Sequence, residues 1–227
     1  MKNCIVDTRD SEITDKLKSL GFICHDVIAS DCVSEPICRH SDVLYLKSDN
    51  FTITISACQK GNIRLLEELG YTVNICDELK PGYKTESFLN YIINDEFVIR
   101  NPLTTISCCD INSRKEIFVK QGYTRCSTIC VNNRAYITDD EGIYKTLKSN
   151  DMDCLKISKG EVQLKGYDYG FIGGASVRLN DKEILFFGDF QNTTDKASVT
   201  EFLNKYNMKP IFIENKKLTD IGSRIIL

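Results

Sequence analysis

The chain has no surplus of positive charge, no long apolar run and almost no histidine. Its 227 residues carry 29 Lys and Arg against 32 Asp and Glu, a net charge of −3. No Lys/Arg stripe is available to neutralise phosphates, which excludes nucleic acid as the main partner. The longest apolar runs, such as EILFFG, are far too short to span a bilayer, so no membrane partner is expected. The N-terminus lacks the basic, apolar, small-residue order of a signal peptide, and a cytoplasmic location is expected. Only two histidines occur and no C-x-x-C pair exists. Cys126 and Cys130 stand one residue too far apart for a zinc knuckle, so neither a metal nor another cofactor is expected.

Cysteine itself is plentiful. There are eleven, an odd number, and several sit inside apolar, strand-like segments: Cys4, Cys24, Cys76 and Cys130. Such residues behave as small buried hydrophobes, and the pattern predicts free thiols in a reducing compartment rather than a disulfide framework. A hydrophobic content of 42% and a charged content of 27% suit a globular chain. The length supports a substantial core, read here as a single domain over 1–227.

Two elements recur. An amphipathic helix followed by a short strand is predicted over 10–28, 62–76, 113–130, 140–157 and 195–213. Each begins with Asp, Asn or Ser, which cap helices, and the first three end the helix at glycine. Between them, tight Asn/Asp turns join apolar strands in VLYLKSDNFTITI, FLNYIINDEFVIR, STICVNNRAYIT and SVRLNDKEILFF, near residues 49, 95, 133 and 181. The terminal segments NCIVD and SRIIL are both strand-like and would supply a fifth hairpin from opposite ends of the chain. A doubly wound sheet rarely inserts a hairpin into each unit, whereas radial repetition accounts for both elements. The predicted fold is α/β: a five-unit ββαβ propeller closed by the N- and C-terminal strands.

The segment KGYDYGFIGGASVRLNDKEILFFGD (165–189) stands apart. Gly173 and Gly174 lack a Cβ and allow close approach of another group, either a ligand or a neighbouring strand. The motifs GYDYGFIGGAS and DIGS, and Arg39-His40-Ser41-Asp42 running into VLYLKS, resemble the pentein superfamily of guanidino-group-modifying enzymes. They most resemble small, uncharacterised bacterial members of that fold. The resemblance extends along the whole chain and implies the five-unit ring. It also implies a His-x-Asp pair acting as acid/base and guanidinium holder, and a Gly-Gly strand lining the central channel. Two departures accompany it. Gly222 and Ser223 stand where the deiminases and amidinotransferases carry a nucleophilic Cys, and Ala175 and Ser176 follow the paired glycines in place of an acidic residue.

The candidate site residues follow from their chemistry. His40 and Asp42, two apart on a predicted strand, would share one face, with the carboxylate fixing the imidazole tautomer. Otherwise they are a surface His beside a turn acid. Cys126 beside Arg125 is a candidate thiol nucleophile, or else a buried strand cysteine. Ser223 with His40 as base is a second nucleophile reading. Asp189 and Asp220, at the ends of apolar strands, would bind a cationic or amide-bearing ligand through charge-assisted bonds, or serve only as turn residues. Tyr167 and Tyr169 would stack on a planar ligand or cation, or fill the channel by packing.

The functional expectation is a central polar pocket for a small nitrogen-bearing ligand of guanidino, amide or amino-acid type. If the ligand reacts, the reaction is hydrolysis or transfer without the usual catalytic Cys, with His40 as acid/base and Asp42, Asp189 and Asp220 as orienters. The alternative is a non-catalytic member that binds a macromolecule across one face of the ring. Oligomeric state is left open.

Overall fold

The Asp10 carboxylate accepts the Ile13 amide at 3.2 Å and so starts the first helix of the chain. In the computed structural model, which describes residues 2–105 and 114–227, a repeating unit grows from such caps. Strand β1 (Lys2–Val6) leads into α1 (Ser11–Ser19), and Gly21, at φ +85°, turns the chain into β2 (Phe22–Asp26). A one-turn helix α2 (Ser41–Leu44) then feeds the hairpin β3 (Tyr45–Lys47) and β4 (Thr52–Ser56), followed by α3 (Ile63–Glu68) and β5 (Thr72–Cys76). The next unit holds α4 (Tyr83–Glu86), β6 (Ile92–Ile93), β7 (Phe97–Arg100) and β8 (Lys115–Phe118). The fourth is β9 (Thr128–Asn132), β10 (Ala135–Thr138), α5 (Glu141–Ser149) and β11 (Asp153–Lys156). The last comprises β12 (Ser176–Asn180), β13 (Glu183–Phe186), α6 (Thr193–Lys205) and β14 (Lys209–Ile211), before the terminal β15 (Ile225–Ile226).

The described residues form five three-stranded sheets with one pattern: an antiparallel pair, then a parallel third strand. The termini close the ring as expected. β15 runs antiparallel to β1 with Cys4 opposite Ile226 and Ile5 opposite Ile225, and the Leu227 amide donates to Asn3 O at 2.9 Å. The fold is therefore a five-bladed ββαβ propeller. Its first strands (β3, β6, β9, β12 and β15) surround the axis, since all five line one central cavity. Apolar faces are buried between blades. Val6, Leu17 and Phe22 of the first blade, for example, pack against Val177, Leu185 and Phe187 of the last. Among the described residues, no helix is long and apolar enough to cross a membrane.

Four expectations are corrected. The helix predicted at the head of 113–130 is instead strand β8, whose Ile117 and Val119 enter the core at the spacing of two that marks a strand. Residue 113 lies outside the described residues, and Gly122 ends no helix. Its open Cα instead faces Thr104 Oγ1, Ser87 Oγ and the Tyr83 hydroxyl, which a Cβ would meet at 3.0–3.1 Å. The last helix begins earlier than predicted, because Asn192 Oδ1 accepts the amides of Thr194 and Asp195. His40 and Asp42 are not on a strand: His40 holds the N-cap position of α2 and Asp42 lies in its first turn. Finally, Cys32 and Cys58 are joined in a disulfide, so the cysteines are not all free thiols. Cys32 lies in a loop and Cys58 in a 3-10 helical turn, separated in sequence by 26 residues, and spacing alone could not have matched them.

Candidate ligand-binding site

Each first strand is entered from a short segment at the ring centre, and these segments build the site. The segment 220–223 grips the segment 40–42. Gly222 O accepts the Asp42 amide at 2.9 Å and the Ser41 hydroxyl at 3.0 Å. Gly222, at φ +76°, leaves no room for a side chain, since a Cβ would lie 2.3 Å from the His40 Cα and Cβ. The paired glycines serve close approach in the same way. A Cβ on Gly173 would strike the carbonyls of Arg125, Cys126 and Thr128 at 2.3–2.8 Å, and one on Gly174 would sit 2.0 Å from Asp220 Oδ1. The approaching groups are thus a neighbouring blade and a buried carboxylate.

Asp220 is the centre of the arrangement. Its Oδ1 accepts the Gly222 amide at 2.9 Å and lies 3.7 Å from His40 Nδ1, while Oδ2 accepts the Phe171 amide at 2.9 Å. Burial raises its pKa above the ordinary carboxylate range; His40 and the two amides oppose the rise, and Asp42 adds to it. On a helical turn, residues 40 and 42 diverge, so Asp42 reaches away from Asp220 to Cys126. Its Oδ2 accepts the Cys126 thiol at 3.1 Å, and its Oδ1 is buried without a hydrogen-bond partner among the described residues.

Cys126 is fully enclosed and keeps its proton. Burial, then the carboxylates of Asp42 and Asp220, push the thiol well above its usual range. Arg125 does not turn toward the sulfur as a thiolate partner would, but donates to Tyr45 O at 3.1 Å. The sequence reading missed Asn90, which binds this region together. Its Nδ2 donates to Asp42 O at 2.9 Å and to Cys126 Sγ at 2.8 Å, and its Oδ1 accepts the amides of Arg125 and Cys126. Nothing in FLNYII distinguished this Asn from the turn-forming Asn94 four residues on.

Above this floor lies a cavity of about 270 Å³. His40, Cys126 and Asp220 line its base, with Tyr123, Tyr167, Tyr169 and Phe171 as aromatic walls and Asp168 among the remaining lining residues. Among the described residues no Lys or Arg lines it, although the Lys159 ammonium lies 4.7 Å from the centroid of the Tyr169 ring. The rings contact one another: Tyr123 and Phe171 have centroids 6.1 Å apart, Tyr169 and Phe171 6.2 Å. The Tyr123 hydroxyl is held by Glu86 Oε1, whose other oxygen accepts from Ser34 and Gly82. Tyr123 and Asp168 were also missed, because only the folded chain brings 123 and 168 to the same rim.

Two candidates fall elsewhere. The Ser223 hydroxyl donates to Ser176 O at 2.7 Å, and the residue lines a different cavity, so it does not face His40 as a nucleophile. Asp189 is paired with Lys196 Nζ at 2.5 Å beneath α6, away from the lining of this cavity. Asp31, Cys32 and Cys58 bring three potential metal-ligand atoms within 4.8 Å of one another, but both sulfurs are spent in the disulfide.

A protein-family model described as a family of unknown function (DUF6873) matches residues 5–226. No curated protein matches. Among solved structures, the chain is similar to DDAH from Pseudomonas aeruginosa, a Cys-to-Ser mutant complexed with citrulline. That match has 10% identity and a TM-score of 0.55, covering 93% of this chain and 92% of that one. It is also similar to SxtG, an amidinotransferase of Microseira wollei, at 10% identity and TM-score 0.58, covering 96% and 89%. A third similar structure is the inosamine-phosphate amidinotransferase StrB1 of Streptomyces griseus, at 9% identity and TM-score 0.54, covering 94% and 77%. At these identities the likeness establishes the pentein fold.

Proposed function

Since this chain belongs to the family of unknown function DUF6873, we propose from the site's chemistry that it binds a small, planar, cationic nitrogen compound of guanidino or amidino type. The observation that carries this reading is a cavity with Asp168 and Asp220 in its lining, four aromatic rings, and no Lys or Arg. Such a lining attracts a cation through charge and through ring faces, and rejects an anion. Asp220 and His40 would hold the charged head. Tyr167 and Tyr169 would stack on its plane, and Asp42 and Asn90 would fix the floor through Cys126. Cys126 retains its proton, so thiol attack forms no part of this reading.

The raised pKa of Asp220 gives the proposal a direction in pH. A cation is held by the ionised carboxylate, so it must displace the proton that burial favours. Affinity for agmatine or a guanidinium probe should therefore rise as pH rises above the ordinary carboxylate range, with proton release on binding. Isothermal titration calorimetry in two buffers of different ionisation enthalpy reads both effects. Asp220→Asn and Tyr169→Ala should each weaken binding at least about tenfold, the scale of one charge-assisted contact. Failure of guanidino, amidino and amino-acid probes alike to bind at about millimolar concentration would overturn the proposal.

A further inference from the structure

The propeller axis holds a second cavity, of about 340 Å³, lined by all five first strands. The segment 125–126 separates it from the first: Cys126 lines the acidic cavity, whereas its neighbour Arg125 lines this one. The charge is inverted. Lys47, Arg125, Arg178 and Arg224 line the second cavity, and among the described residues no Asp or Glu does.

The partners of these four cations are mostly neutral. Lys47 Nζ donates to the Tyr71 hydroxyl at 2.9 Å and to Ile226 O at 3.1 Å, and Arg125 donates to Tyr45 O. Arg178 reaches the carboxylate of Asp181, a residue almost wholly exposed, so that pairing is screened. Arg224 is the most telling. It is 2% exposed; its guanidinium lies against the Cys4 thiol, and among the described residues no oxygen or nitrogen accepts a hydrogen bond from it. Its Cζ lies 3.8 Å from the centroid of the Phe22 ring, which offsets only part of the cost of burying a charge. The Thr128 hydroxyl, on the same lining, is also buried without a partner. Asp42 acts on Arg125 from behind the wall and Asp181 on Arg178 from outside, but neither lines the cavity. Guanidinium and ammonium groups on a wall with no carboxylate favour an oxyanion, and arginine suits its planar, bidentate geometry.

We infer that this second cavity is a binding site for a small oxyanion, a compound carrying a phosphoryl or carboxylate group. The two ends of the axis thus receive ligands of opposite charge. The site is independent of the cation-binding reading, as its lining shares no residue with the acidic cavity.

The test uses the full chain, with inorganic pyrophosphate and citrate as probes in separate calorimetric titrations. Ionic strength is held constant with sodium chloride. Saturable binding of one or both is expected, and the preferred probe distinguishes a phosphoryl from a carboxylate ligand. Lys47→Gln and Arg178→Gln, both on partly exposed side chains, should each weaken that binding at least about tenfold, with the melting temperature read alongside because Lys47 also holds Ile226 O. Arg224→Met should abolish it, but this buried change endangers the fold, so the two rim variants decide. Asp220→Asn should leave oxyanion affinity within about twofold, because it alters only the other cavity. Absence of saturable binding of both probes at about 10 mM, or affinity unaltered in both rim variants, overturns the inference.

Discussion

Gly174 sits against Asp220 so closely that a single methyl group would occupy the carboxylate's place. Gly174→Ala must push the Asp220 side chain aside and break its bonds to the Phe171 and Gly222 amides. The expected cost is about 1–3 kcal/mol of stability, read by chemical denaturation, together with loss of cation binding. A variant that keeps both would show that the carboxylate moves freely. Gly173 and Gly174 were visible in the sequence as unusual; that each admits a different neighbour, a blade on one side and a carboxylate on the other, was not. His40 and Asp42 were likewise chosen for their residue types. The face they share was misjudged, because the segment is a helical turn and not a strand.

At the level of elements, the terminal strand carries more than its length suggests. Ile225 is buried, Leu227 is hydrogen-bonded to Asn3, and Lys47 of the adjoining strand β3 reaches Ile226 O. Deleting residues 225–227 exposes the edge of β1 and removes a buried apolar side chain. A loss of at least about 3 kcal/mol is expected, roughly 6–12 °C in melting temperature for a chain of this size. An unchanged melting temperature would show that ring closure adds nothing to stability. The hairpins were readable because Asn and Asp mark their turns, and four helices because polar caps precede apolar residues at helical spacing. The segment 113–130 defeated the same reasoning. KEIFV satisfies a helical pattern and a strand pattern at once, and pairing with β7 chose the strand.

Across the whole molecule, two buried acids with raised pKa values give stability a component that falls with pH. Burial is the main cause that raises Asp139 to about 7; Lys159 opposes it, while Asp140 and Asp220 add to it. Asp220 is raised as well. The folded protein therefore keeps protons that the unfolded chain has released between about pH 4 and pH 7. Through Asp139, stability falls as pH climbs across that window and levels off above it, and Asp220 acts in the same direction. Asp139→Asn removes one contribution and should stabilise the protein by about 1–3 kcal/mol near pH 8, with the gain vanishing near pH 4. Denaturant titrations across the range test this, and a gain independent of pH would contradict it. Five repeats and a hairpin shared between the termini were both legible in the linear chain. Such properties rest on local periodicity and turn chemistry, which need no knowledge of distant neighbours. The pairing of Cys32 with Cys58, the thiol of Cys126 pinned between Asn90 and Asp42, and the separation of acidic and basic cavities by adjacent residues were not legible. Each depends on which blades face one another at the axis, and only long-range packing supplies that.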